Sequence, residues 1–121
     1  MKFQGRTQNI LPTKVAADLP ALGSESHVVH VKLFTPYGGW TWLLTEYDPA
    51  SGEAFGFAYN ASDPCGAELG YVSVAELRSL GARLGRYTVQ AVERDTGFRP
   101  CALGAAVDRE CPGARNLWVA R

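Results

Sequence analysis

The sequence predicts an α+β fold: an antiparallel β-meander sheet of about five strands packed against one or two short helices, with residues 1–121 forming one domain. Three observations predict it. Side chains alternate with period two through residues 27–34 and 53–60, residues 40–47 form an apolar run between them, and turn-forming clusters separate the three. Residues 68–72 lead straight into a capping box, Ser73 and Glu76, followed by leucines at helical spacing. The composition, 46% hydrophobic and 20% charged in a chain of this length, is that of one globular core rather than a disordered segment.

The elements follow in order. Residues 11–22 place Val15, Ala16, Leu19 and Leu22 at three- and four-residue spacings, which predicts a short helix with Thr13 as N-cap and an interruption at Pro20. From His27 a strand is expected, with Val29, Val31 and Leu33 on one face and Val28, His30, Lys32 and Phe34 on the other. Pro36, Tyr37, Gly38 and Gly39 turn the chain into a second strand at 40–47, so the two should be antiparallel neighbours. Asp48, Pro49, Ala50, Ser51 and Gly52 make the next turn, and Phe55, Phe57 and Tyr59 alternate with small residues in the third strand. Residues 61–67 read as a loop and 68–72 as a short strand. The helix beginning near Ser73 is expected to bury Leu77, Leu80 and Leu84 and to stop at Gly85 in a left-handed conformation. Residues 87–94 return as a strand. Residues 101–113 show little periodicity, and 116–120, with Leu117, Trp118 and Val119, form a candidate edge strand.

Charge and cysteine content narrow the function classes. Twelve Lys plus Arg balance twelve Asp plus Glu, so the chain lacks the basic field that drives non-specific nucleic-acid binding. Arg78, Arg83, Arg86 and Arg94 fall within a short stretch and are read first as solvated charges. Residues 1–10 lack the apolar run of a secretory signal and no stretch is long enough to span a bilayer, so the expected location is cytoplasmic with no membrane partner. Cys65, Cys101 and Cys111 form no Cys-x-x-Cys pair and are expected as free thiols, a Cys101 to Cys111 bridge being the alternative.

Candidate chemistry is sparse. His27 and His30 are three apart on a predicted strand, which sends them to opposite faces and argues against a shared metal ion. Glu46, Asp48 and Glu53 flank one hairpin and could form an acid/base or metal pair, although turn chemistry and surface charge explain them more simply. Ser51 and Ser73 are accounted for by a turn and a cap, and no local signature pairs a cysteine with a histidine. No catalytic residue, cofactor or metal site is therefore assigned. The aromatic residues are more informative. Strict alternation puts Trp40, Trp42 and Leu44 on one face of the second strand and Thr41, Leu43, Thr45 and Tyr47 on the other. Both faces carry large side chains, and a face left uncovered would be a binding surface. The candidate partner-binding residues are Tyr37, Trp40, Trp42, Glu46, Asp48 and Glu53.

HVVHVKLFTP (27–36), WTWLLTEYDP (40–49), ELGYVSVAEL (68–77), LG (84–85) and VERDTGFRP (92–100) together resemble an uncharacterised bacterial domain-of-unknown-function family of small proteins carried by plasmids, phages and other mobile elements. The resemblance covers 10–100 and leaves 101–121 as a divergent tail. It implies residence on a mobile element and brings no reaction, cofactor or catalytic residue to these positions. The expected function is a non-enzymatic, protein-binding accessory factor of a mobile genetic element, for instance an inhibitor that occludes a host defence complex of the CRISPR or restriction type. The alternative is a nucleic-acid-binding factor in plasmid or phage maintenance that uses Arg78, Arg83 and Arg86 with sheet aromatics. A third reading is a small metal-dependent hydrolase built on Glu46, Asp48 or Glu53.

Overall fold

The turns dictate the pairing. The computed structural model describes residues 3–114. Its elements are α1 (Thr13–Ala16), β1 (Val28–Val29), β2 (Val31–Phe34), β3 (Trp40–Asp48), β4 (Glu53–Asn60), a 3-10 turn at Pro64–Gly66, β5 (Glu68–Ser73), α2 (Val74–Ser79), β6 (Gly81–Leu84), β7 (Tyr87–Gln90), β8 (Glu93–Arg94), β9 (Cys101–Ala102) and α3 (Leu103–Glu110). Strands β2 to β5 form an antiparallel meander, and β8 adds to the far side of β2, giving the order β5-β4-β3-β2-β8. This is the expected α+β architecture. The candidate strand at 116–120 lies outside the described residues.

Each face of the sheet has its own core. On the first, Val31, Leu33, Trp42, Leu44, Tyr47, Ala54 and Val72 pack against Ile10 and Leu11, Leu19 beyond α1, and Val74 and Leu77 of α2. On the second, Leu43, Phe57 and Tyr59 pack against Leu103, Ala106 and Val107 of α3 and Cys111. The three α3 residues sit at positions i, i+3 and i+4, so one helical face is buried. Removing that apolar area from water is what holds so short a helix in place.

Four local expectations are corrected. The N-terminal helix is a single turn that begins, rather than is capped, at Thr13, because Pro12 precedes it with extended angles and the chain turns away again before Pro20. The strand from His27 breaks at His30: Val29 joins the core under α3 while Val31 and Leu33 join the opposite one. Helix α2 ends at Ser79, and Leu80 and Leu84, 44% and 38% exposed, do not extend its buried face. Leu80 is the extended residue that ends α2, and Leu84 belongs to the β6–β7 hairpin that follows, whose two-residue turn is Gly85-Arg86, with Leu84 paired to Tyr87. Gly85 has φ +63° at the first central position of that turn, as a tight hairpin requires, so its left-handed angle serves a β-turn rather than a helix stop. The segment read as aperiodic, 101–113, supplies β9 and α3.

Two polar links fix the periphery. Gln8 acts as a latch between the N-terminal arm and residues 90–94: its backbone exchanges two hydrogen bonds with the Gln90 side chain, both 2.7 Å, and its side chain exchanges two with the Arg94 backbone, at 2.6 and 3.2 Å. On the second face, Lys32 Nζ lies 2.7 Å from Glu110 Oε1 and 3.7 Å from Asp95, tying the end of α3 to the sheet. Burial alone would raise the Glu110 carboxyl, but hydrogen bonds from Arg109 and Lys32 outweigh it and hold the group below its ordinary value of 4.5. A lowered folded-state value gives stability that is complete above the unfolded value and is lost as pH falls through the folded one. Glu110→Gln should therefore cost about 1 kcal/mol at neutral pH. That difference should shrink toward zero as denaturation is repeated at pH values descending below 4.5. A difference independent of pH would contradict the ion-pair assignment.

Candidate functional site

The meander is interrupted at one place. Leu44 pairs with Gly56 and Glu46 with Phe55, which leaves Thr45 as the extra residue of a β-bulge in β3. Thr45 turns its hydroxyl to the Phe55 carbonyl, 3.1 Å away. The bulge inverts the alternation read from the sequence. Tyr47 falls on the same face as Trp42 and Leu44, and Glu46 falls on the face covered by α3.

Glu46 is buried, yet it is not left without partners. Its Oε1 accepts from the Gly23 N–H at 2.9 Å and its Oε2 from the Ser26 N–H at 2.8 Å. The carboxylate thereby clamps the loop that precedes β1 from within. At the centre of the clamped loop Glu25 has φ +57°, the one described residue other than glycine in the left-handed region. Backbone strain of this kind persists where surrounding contacts over-determine it, and it concentrates at functional sites.

Between this loop, the bulge and the start of α3 lies a cleft of about 630 Å³. Phe55, Leu69 and Tyr71, neighbours on β4 and β5, form its apolar floor, Leu103 one wall, and Ser24, Glu25 and His27 its rim. Phe55 and Tyr71 meet edge to face with ring centroids 5.3 Å apart, and Tyr71 is 70% exposed. The Leu103 N–H donates to the His27 carbonyl at 2.8 Å, which ties the rim to the start of α3.

The six partner-binding candidates do not share one surface. Tyr37 and Trp40 are exposed at the β2–β3 turn, where Trp40 stacks on Trp42 with centroids 5.6 Å apart and planes 7° from parallel, while Trp42 itself is buried. Asp48 lies at the other end of β3, about 26 Å away at ~3.3 Å per residue. Hydrogen bonds from Ser51 and from the Ala50 N–H hold its carboxyl below the usual value, which is turn chemistry. Glu53, exposed, pairs with Asp48 across that turn. Glu46 is the one candidate that lines the cleft. Glu25, Phe55 and Tyr71 were not among the sequence candidates, and His27 was weighed only with His30 as a metal ligand, although the strand assignments put Phe55 and Tyr71 on the sheet.

Other reactive groups are occupied or dispersed. All three cysteines are free thiols. Burial pushes the Cys111 thiol up to about 12, and Cys101 Sγ accepts from the Arg109 guanidinium at 3.6 Å. Burial, with a smaller contribution from Cys111, also raises the Tyr59 hydroxyl, which donates to the Pro112 carbonyl at 2.8 Å. Among the described residues no three His, Cys, Asp or Glu side chains are grouped to hold a metal ion. Nor is any described helix long and apolar enough to cross a membrane.

Comparison with known proteins gives one family. No curated protein and no solved structure matches the chain. The model of a family described as protein of unknown function, DUF2958, matches residues 10–104, a span that holds the whole meander, the bulge and the clamped loop, and the chain belongs to that family.

Proposed function

We propose that this chain is a non-enzymatic protein-binding factor whose partner docks in the cleft beside the bulge. One observation carries the reading: Tyr71, the most exposed large apolar side chain among the described residues, stands with Phe55 on a sheet face that α3 covers only in part. A rigid aromatic anchor on a strand costs little ordering entropy when a partner covers it. Three of the side chains weighed for chemistry are engaged in structure, Glu46 in the loop clamp, Asp48 in a turn and Ser73 in the α2 cap, where its hydroxyl accepts from the Glu76 N–H at 3.2 Å.

The setting follows from the resemblance noted above. On a plasmid or phage, a small factor of this kind would serve as an accessory protein, for instance by occluding a host defence complex of the CRISPR or restriction type. Affinity capture from host lysate tests this with two variants. Tyr71→Ala should weaken capture of a stoichiometric partner by about thirtyfold or more, the effect of removing an aromatic hot spot. Trp40→Ala, at the distant patch of Tyr37 and Trp40, should leave it unchanged. The reverse pattern would move the docking surface to that patch, and recovery of no partner from relevant hosts would count against protein binding altogether.

A second reading rests on the β6–β7 ribbon, which exposes Arg83, Arg86 and Tyr87, with the Arg86 guanidinium 5.6 Å from the Tyr87 ring centroid. A two-stranded ribbon fits the major groove of DNA. Arg78 does not join it, being turned toward the Leu11 carbonyl at 2.8 Å. A gel shift that weakens steeply with salt and disappears in an Arg83→Ala, Arg86→Ala double variant would favour nucleic acid over protein.

A further inference from the structure

The cleft pairs an aromatic floor with carboxylates and has no lysine or arginine among its lining residues. Phe55 and Tyr71 present π-electron density, and Glu25 stands on the rim with its backbone fixed by the clamp beneath it. Both oxygens of Glu46 already accept backbone N–H groups, so it adds negative charge below the floor without offering a free coordination site. A metal ion, which needs three or more protein ligands at once, is poorly served by Glu25 and His27 alone, and no group of three such side chains occurs among the described residues. An organic cation is served well, because it takes its stabilisation from aromatic faces and a nearby charge rather than from a coordination shell.

We infer that the occupant of the cleft is a basic side chain, arginine or lysine, projecting from a protein partner and seated against Tyr71 and Phe55 with its charge toward Glu25. This rests on the protein-binding reading and names the chemistry of the partner. The cleft, at about 630 Å³, has room for the cationic head together with the residues flanking it in a partner's chain. The same pairing occurs elsewhere in the molecule, where the Arg109 guanidinium lies 5.7 Å from the Phe98 ring centroid and Lys32 Nζ 5.4 Å from that of Phe34. Those cations lie against rings of the protein itself, whereas no lysine or arginine lines the cleft beside Tyr71.

The test is an NMR titration of the isotope-labelled full chain with four blocked tripeptides: glycine flanking arginine, lysine, citrulline or leucine. The arginine and lysine peptides should shift the amides of Gly23, Glu25, Ser26 and Tyr71. They should bind about fivefold more tightly than the citrulline peptide, which keeps the shape of arginine without its charge. Glu25→Gln should remove most of that preference while leaving the rest of the spectrum intact, and added salt should reduce it. Equal shifts from citrulline or leucine would overturn the cationic occupant and leave the cleft standing as a docking surface. Shifts from none of the four would overturn the inference, while the Tyr71→Ala capture experiment would still decide, separately, whether a partner docks there.

Discussion

Gly56→Ala is expected to lower stability by about 3 kcal/mol, at the upper end of overpacking effects, and with it the melting temperature by roughly 10 °C. A Cβ on Gly56 would sit 2.1 Å from the Leu43 carbonyl oxygen and 2.9 Å from both the Leu43 carbonyl carbon and Leu44 Cα. All three are backbone atoms, so no side chain can rotate away. The bulge lies beside this contact: Thr45 is extra in β3, and Gly56 pairs with Leu44 at the edge of the register shift. The variant must widen the ladder or lose the bulge. Losing it would return Glu46 to the apolar core shared by Leu44 and Trp42, where a carboxylate has no partners. Thermal and urea denaturation of the variant measure the loss. Gly70→Ala is the control, since the added Cβ there meets nothing within 4 Å. Equal effects at the two glycines would show that the bulge geometry is wrong.

Glu46→Gln should cost about 2–3 kcal/mol, although it removes no volume. The carboxylate accepts from two N–H groups, one on each oxygen. An amide can accept from only one of them and must turn its own NH2 toward the other, leaving a donor facing a donor. The loop that carries Glu25 then loses half its anchor, and the left-handed angle there loses the contacts that impose it. Hydrogen exchange at Gly23 and Ser26 reads this directly: one of the two amides should exchange much faster than the rest of the described core. Unchanged protection at both would mean that the loop is held by something other than Glu46.

The meander was legible in the sequence because its signals are local. The clusters 36–39 and 48–52 mark hairpin turns whatever the rest of the chain does, and Ser73 with Glu76 marks a helix start within four residues. The bulge was not legible from β3, where Trp42, Leu43 and Leu44 are apolar in succession and no alternation exists to be broken. Its signal lay across the ladder, in a lone glycine at 56 inside an otherwise regular strand. Leu77, Leu80 and Leu84 imitate a helix face, and only the two-residue spacing of Leu84 and Tyr87 around Gly85-Arg86 reveals the hairpin. Leu103, Ala106 and Val107 do carry helical spacing, but two of the three are small enough to pass for background. The cleft was legible least of all. It exists because α3 stops short of covering Tyr71, a matter of how distant elements meet rather than of any one segment's pattern.

The Gln8 latch bears on the order in which the molecule assembles. Its partners are separated from it by 82 and 86 positions along the chain, and closing so long a loop costs entropy that four peripheral hydrogen bonds repay only weakly. The N-terminal arm is thus expected to settle after the intervening strands have found one another, and the Gln8 amide to lose its hydrogen-exchange protection before those of the meander.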